Sequence, residues 1–332
     1  MDPDAGDQPP AHVAVTRRNE ATAMWRPCEA PRLSWGFALM HLERPGKRDI
    51  DSVLLPDLLS GTMYTPERVP LSMAEFTTIT IASARMAGWL ILLVALLLCG
   101  PLLMLALGRV PLHGDWRTAT HRSVGLAPDP ATHREAVVQV YVSRAFGWRG
   151  AFAVHSWLAA KQANADRYTR YEVIGWYARA GGSSVSISDS SAPDAEWYGA
   201  APSLVRDLRG SEAETVIAKL PQAAADYPHA MSYRVWPGPN SNTFTAHLGR
   251  KIPELGLTLP STAIGKDYLP FGQILAQTPS GTGLQLSLSG ILGVTVGRDE
   301  GLELNVLGLV MGFDLRHPAI KVPGIGRVPG DS

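Results

Sequence analysis

Few side chains in this 332-residue chain combine useful chemistry with an unusual setting. His155 stands in the apolar stretch 151–161 (AFAVHSWLAAK), and an imidazole can act as a general base near neutral pH. Glu172 follows in 171–176 (YEVIGW), a second compositionally unusual segment. Ser241 lies in 236–244 (WPGPNSNTF). Two prolines and a glycine there predict a rigid turn, and three small polar residues then precede an apolar helical pattern. Asn240, Ser241 or Asn242 fits the helix N-cap. A side chain at that point meets free backbone N–H groups and the positive helix end, which favours a nucleophile or a developing oxyanion. Lys266 and Asp267, in 264–268 (IGKDY), read either as a neighbouring ion pair or as charges lining the same cleft. Trp157 and the tryptophans at 148, 176, 197 and 236 could wall a sugar or acyl ligand. The residues singled out are thus His155, Glu172 and Ser241, with Trp157, Asn240, Asn242, Lys266 and Asp267 as candidates for binding. Each also has a plainer role: a satisfied strand histidine, a simple N-cap, a glutamate paired with arginine.

Several chemistries are excluded by what is missing. No GxSxG elbow, HExxH, CxxC pair, GxxxxGK[ST] loop or strand-following GxGxxG occurs, and the nine histidines lack metal-ligand spacing. No metal and no cofactor is expected. Two cysteines cannot staple a scaffold or complete a zinc knuckle. Thirty basic residues balance thirty acidic ones, so no cationic excess argues for nucleic acid.

The charged fraction of 18% is low, and its cause is local. Residues 86–108 (MAGWLILLVALLLCGPLLMLALG) carry no charge and are flanked by Arg85 and Arg109. At about 1.5 Å per residue they would make roughly 34 Å of helix, enough to cross a hydrocarbon core of about 30 Å. An uncleaved transmembrane helix is therefore expected, kinked at Pro101, with the lipid bilayer as its partner. Residues 1–85 lack sustained apolar periodicity and read as a disordered tail or a mis-called start, with Met63, Met73 and Met86 as alternative initiators. Residues 109–133 read as a Pro/Gly/His-rich linker.

Beyond the linker an α+β domain is expected over 134–270. Strands are predicted at 134–144, 151–161 and 171–179 from alternation and β-branched or aromatic content. Helices are predicted at 211–226, with Pro221 arguing for a break, and at 242–251. Alternating Leu284, Leu286 and Leu288 open a β-rich extension over 271–325.

Segments 148–161, 171–176, 236–244 and 264–268 together resemble an uncharacterised bacterial family of membrane-anchored domains of unknown function. The order of parts is also similar to circularly permuted papain-like proteins, the lecithin:retinol acyltransferase-like group and its cell-wall amidase relatives. That resemblance implies a permuted papain-like core, with His155 as base, Glu172 as its partner and Ser241 where the group has a cysteine. It further implies amide or ester hydrolysis, or acyl transfer, on a peptidoglycan or lipid ligand. The location implied is a bacterial inner membrane crossed once, with the domain in the periplasm. Residues 111–332 contain no cysteine, so a serine would have to replace the thiolate. The same scaffold could instead serve as a non-catalytic ligand- or partner-binding module.

Overall fold

The computed structural model describes residues 72–270 and 272–330; of the tail expected over 1–85, residues 1–71 lie outside them. The first element, α1 (Met73–Ala106), begins thirteen residues before the uncharged run. Its start is fixed by a capping box: Ser72 Oγ accepts from the Glu75 N–H (3.2 Å), and Glu75 Oε2 accepts from the Ser72 N–H (2.8 Å). Residues 73–85, read as tail, are therefore helical, and the helix runs on without interruption through Pro101. It is long and apolar enough to cross a membrane. Most of its side chains are exposed, but Leu97, Gly100 and Pro101 are buried. A Cβ at Gly100 would collide with the Pro323 carbonyl, and one at Gly324 with the Pro101 ring.

All the described elements belong to one compact unit, Pro70–Ser332. Its first sheet has the order β4-β3-β2-β1-β5: β1 (Val137–Arg144), β2 (Val154–Lys161), β3 (Thr169–Val173), β4 (Val185–Ser188) and β5 (Ser203–Arg209), every neighbour antiparallel. The strand predicted over 171–179 ends at Val173 and gives way to a short helix, α2 (Gly175–Arg179). Gly175 is needed there because a Cβ would press within 2.6 Å of the Tyr233 ring. Helices α3 (Gly210–Ala225) and α4 (Ser241–Lys251) cover one face, and α3 runs unbroken through the exposed Pro221.

Strand alternation divides the first sheet cleanly. Val138, Val140, Val154, Leu158, Ala160, Tyr171 and Val173 pack with Val216, Leu220, Phe244 and Leu248 of the two helices. Val137, Tyr141, Trp157 and Ala159 point the other way, onto Ala127, Trp197 and Leu204. That second face is closed by the segment read as a linker. The Asp194 carboxylate accepts hydrogen bonds from Ser123 Oγ (2.6 Å) and from the N–H groups of Leu126 (2.5 Å) and Ala127 (3.1 Å). Tyr168 Oη donates to the Pro128 carbonyl (3.0 Å). The 109–133 segment is thus partly a strap tied across the sheet.

The second sheet is an antiparallel meander of β6 (Leu275–Gln277), β7 (Gly283–Leu288), β8 (Leu292–Gly297), β9 (Gly301–Val306), β10 (Leu309–Asp314), β11 (Ala319–Val322) and β12 (Gly326–Val328). The expected β-rich extension is present, but its sides are inverted. Gln285, Ser287, Thr295, Glu303, Asn305 and Lys321 are buried, whereas Leu284, Leu286, Val294, Val296, Leu302 and Leu304 are exposed. The polar side holds an ionic layer. Glu303 bridges Lys266 and Lys321, Lys266 also reaches Asp267 Oδ1 (3.1 Å), and Asn305 Nδ2 donates to Asp267 Oδ2 (2.7 Å). Arg250 of α4 donates to Gln285 Oε1 (2.8 Å) and to the Lys266 carbonyl (2.9 Å).

Burial works against the charge on Lys266, but the Asp267 and Glu303 carboxylates outweigh it and hold its pKa above the ordinary value. Burial likewise opposes ionised Glu303, and Lys266 and Lys321 overcome it, so its carboxyl is held below the ordinary range. Removing one member of a buried ion cluster leaves its partners unbalanced, so Glu303→Gln is expected to cost about 3–5 kcal/mol in denaturation of the detergent-solubilised chain. The share of stability from Glu303 should be full above its ordinary pKa of about 4.5 and be lost as pH falls through the depressed value. That from Lys266 should persist up to about 10.5 and be lost as pH rises through the raised value. A wild-type stability profile flat through acid, or an unchanged midpoint in the variant, would contradict the ionic layer's role.

Candidate functional site

The residues expected to form one catalytic set are distributed over two faces of the first sheet. His155 and Glu172 do meet: His155 Nε2 lies 3.4 Å from Glu172 Oε2, and both side chains are buried. Arg170 Nη2 donates to the same carboxylate oxygen at 2.9 Å and stacks its guanidinium 4.7 Å from the Trp157 ring centre. The His155 ring lies flat on Trp197, with centroids 3.6 Å apart and planes within 9°. Burial pushes the His155 pKa down more strongly than Glu172 pulls it up, so the imidazole is neutral. Burial would raise Glu172, but hydrogen bonding and charge from His155 and Arg170 prevail and hold it low.

Ser241 is the first residue of α4 and belongs to the other side. Thr245, one turn later, faces Ser156 of β2 (2.9 Å between hydroxyls), and Phe244, Ala246 and Leu248 enter the core with Val154 and Leu158. Strand alternation sends His155, with Trp157, to the opposite face. His155 therefore points to the face of β2 opposite the one on which α4 packs, and no hydrogen bond joins it to Ser241. Ser156, not His155, is the β2 side chain presented to α4.

The motif around Ser241 has a structural explanation. Asn240 is the N-cap: its Oδ1 accepts from the N–H groups of Asn242 (3.0 Å) and Thr243 (3.2 Å), and its Nδ2 donates to the carbonyls of Val235 (3.1 Å) and Ile264 (3.0 Å). Asn242 Nδ2 donates to the carbonyls of Val154 (2.9 Å) and Ile264 (2.8 Å), while its buried Oδ1 has no partner. Thr243 Oγ1 donates to the Gly265 carbonyl at 2.8 Å. Gly265 has φ +98°, and a Cβ there would strike the Asn240 amide. Segments 236–244 and 264–268 thus lock each other and seat α4 on β2.

The remaining predicted binding residues are also committed elsewhere. Trp157 is fully buried and donates from Nε1 to the Pro193 carbonyl (2.7 Å). Lys266 and Asp267 are buried and pair with each other in the ionic layer, as the ion-pair alternative would have it. Trp148, Trp176 and Trp236 are each about half exposed.

One groove combines ligand-sized space with unsatisfied polar groups. It encloses about 410 Å³, within the usual range for small-molecule sites. Tyr227, His229, His247, Arg250 and Tyr268 are among its walls. Tyr227 Oη and His229 Nε2 are buried there without hydrogen-bond partners. Burial raises the Tyr227 pKa and lowers those of His229 and His247, so all three side chains are neutral near pH 7. Sequence reasoning missed these residues, although the run Asp226-Tyr227-Pro228-His229 was a local signal. Among the described residues no group of histidines, cysteines and carboxylates could hold a metal.

The structure thus defines a mixed helix-and-sheet unit carrying one helix of membrane-spanning length and apolarity. Residues 135–268 match the family described as a protein of unknown function (DUF3750). The match covers the first sheet, α3, α4 and the loop that locks α4, and leaves α1 and the second sheet outside. No curated protein and no solved structure matches the chain.

Losing the Asn240 cap should cost about 2 kcal/mol, the upper end for an N-cap, because four hydrogen bonds go with it; Asn240→Ala is expected to lower the thermal midpoint, and Ser241→Ala to leave it nearly unchanged. His155 carries the opposite pH signature to a raised histidine. With its folded pKa below the ordinary 6.5, its share of stability is full above about pH 6.5 and is lost as pH falls through the depressed value. In His155→Gln, the pH dependence of the midpoint between 6.5 and 5 should be shallower than in the wild type.

Proposed function

We propose that this chain is a membrane-anchored, non-catalytic binding module. The observation that carries the proposal is that His155 points to the face of β2 away from α4 and pairs with Glu172 rather than with Ser241, leaving the serine no base in contact. A hydroxyl is too weakly acidic to attack without one. Anchoring is supported by α1, whose exposed apolar surface suits lipid better than water. The resemblance to envelope proteins supports a bacterial inner membrane with the unit on the periplasmic side. The permuted papain-like scaffold is supported by the chain order of two adjacent strands followed by a helix whose first turn seats on the sheet.

The ligand site is the groove beside α4. A small polar ligand there would lie against the Tyr227 and Tyr268 rings, and a side-chain shift would let it pair with Tyr227 Oη and His229 Nε2, which are buried without partners. Peptidoglycan fragments and lipid headgroups both offer such groups and remain the ligand classes proposed.

The test uses the full chain in detergent with a soluble muropeptide and a lysophospholipid as titrants. Saturable binding by calorimetry is expected, with no turnover. Tyr227→Phe should weaken it by up to about tenfold, equivalent to one hydrogen bond of roughly 0.5–1.5 kcal/mol, while Ser241→Ala leaves it unchanged. Covalent labelling of Ser241 by a fluorophosphonate, abolished in His155→Ala, would instead establish a serine hydrolase and overturn the module.

A further inference from the structure

The outward side of the second sheet is apolar from edge to edge. Leu275, Leu284, Leu286, Leu288, Val296 and Phe313 are each about half exposed, and Leu292, Val294, Leu302, Leu304, Ile320 and Val328 are only slightly less so. Seven strands give six spacings of about 4.8 Å, and strands of about 20 Å then define a face on the order of 600 Å². That equals or exceeds the largest apolar patch normal for a soluble monomer, so a partner must cover it.

Two features of the fold identify that partner as lipid. The first is continuity with α1. The β11–β12 turn is the part of the sheet that meets the helix, at Gly100 and Pro101. Gly100 lies eight residues inside the end of the uncharged run at Gly108, or about 12 Å along a helix. If the run 86–108 spans the bilayer, the tip of the sheet sits at hydrocarbon depth.

The second feature is a polarity gradient along the strands. Meander turns alternate between the two ends of a sheet. The end shared with β11–β12 has the turns Ser289-Gly290-Ile291, Leu307-Gly308 and Pro323-Gly324-Ile325, none of which is charged. The far end carries Arg298-Asp299-Glu300 and Arg316-His317, with Arg298 and Arg316 both paired to Asp299. A face covered by a second copy has no need of such a gradient, whereas a sheet entering a bilayer at one end requires it.

We propose that the outward face of β6–β12 is a membrane-contact surface, seated in the same leaflet that α1 leaves near Gly108. The aliphatic side chains rest against acyl chains, and the turns bearing Arg298 and Arg316 stay in the aqueous headgroup zone. The inverted sidedness follows: the polar side is satisfied internally by the ionic layer, and the apolar side by lipid. This deepens the membrane-anchored reading and rests on α1 spanning the bilayer.

The chain has only two cysteines, which makes site-specific labelling direct. Full-length protein lacking Cys28 would carry bimane on native Cys99, within α1. Further versions, with both native cysteines replaced by serine, would carry it at Leu286→Cys, Leu304→Cys or Arg298→Cys, all exposed positions that folding tolerates. Each is reconstituted into phosphatidylcholine–phosphatidylglycerol vesicles with or without nitroxide-labelled lipid. The expected result is loss of half or more of the fluorescence at 286 and 304, and little loss at 298. Unquenched probes at 286 and 304 overturn the proposal, and two further readings then name the cover. Bis-maleimide linkage between Leu304→Cys chains identifies a second copy. Shielding from aqueous iodide without linkage identifies residues 1–71. The Cys99 probe reports separately: if it alone escapes lipid nitroxide, the spanning reading fails and the leaflet placement with it, leaving only lipid contact of the sheet face.

Discussion

The buried contact of Glu303 with Lys266 and Lys321 decides how the two halves of the structure join. Four charged groups, Lys266, Asp267, Glu303 and Lys321, are removed from water together, which costs several kcal/mol per ion before pairing offsets it. Such a layer is tolerable only because each group is answered: Lys266 by two carboxylates, Glu303 by two ammonium groups, and Asp267 by Asn305 as well as Lys266. Once the meander turns this polar side inward, alternation leaves no choice about the other side. Leu284, Leu286, Val294, Val296, Leu302 and Leu304 must face out. The same layer holds the 264–268 loop, and that loop caps the start of α4 through the carbonyls of Ile264 and Gly265. The geometry at the helix start therefore depends on charges lying beneath the other sheet.

The same two-residue period governs the first sheet. One step along β2 separates His155, stacked on Trp197 behind the strap, from Ser156, bonded to Thr245 of α4. Residues that adjoin in sequence thus serve different faces. His155, Glu172 and Arg170 form a neutral–anionic–cationic set between aromatic rings, and the tryptophans of that face serve it as packing partners. The hydroxyl and amide groups at the α4 start are mostly spent on seating the helix. Unpartnered polar atoms remain at Asn242 Oδ1 and, in residues lining the neighbouring groove, at Tyr227 Oη and His229 Nε2.

Much of this was legible in sequence, and the failures have physical causes. The uncharged run, the strands at 137–144 and 154–161, both long helices and the β-rich extension follow from local pattern. That Asn240, Ser241 or Asn242 would cap α4 was also readable, and the pairing of His155 with Glu172 was what the family resemblance implied. The sidedness of a strand was not, because alternation says which residues share a face and is silent on which face meets α4. The ionic layer was hidden for a related reason: Lys266, Glu303 and Lys321 are distant in sequence and look like ordinary surface charges. Strand β5, with three charges in seven residues, gave no apolar signal. The strap over 109–133 was hidden because Asp194, which ties it down, lies far along the chain.

The inverted sheet also bears on how the chain can be stable. Moving an aliphatic side chain fully out of water contributes about 1.5–3 kcal/mol, and a dozen such side chains here are left about half exposed. An internal core would normally use them, while the interior of this unit spends space on charges that replacement by well-packed apolar residues would often leave equally stable. A soluble unit under selection for stability alone would drift towards exchanging the two sides. The proposed lipid contact would make the arrangement self-consistent, since an apolar outer medium would supply the transfer free energy that the interior forgoes. The Gly100–Pro323 contact supplies the remaining constraint, since it fixes the sheet against α1 at one height.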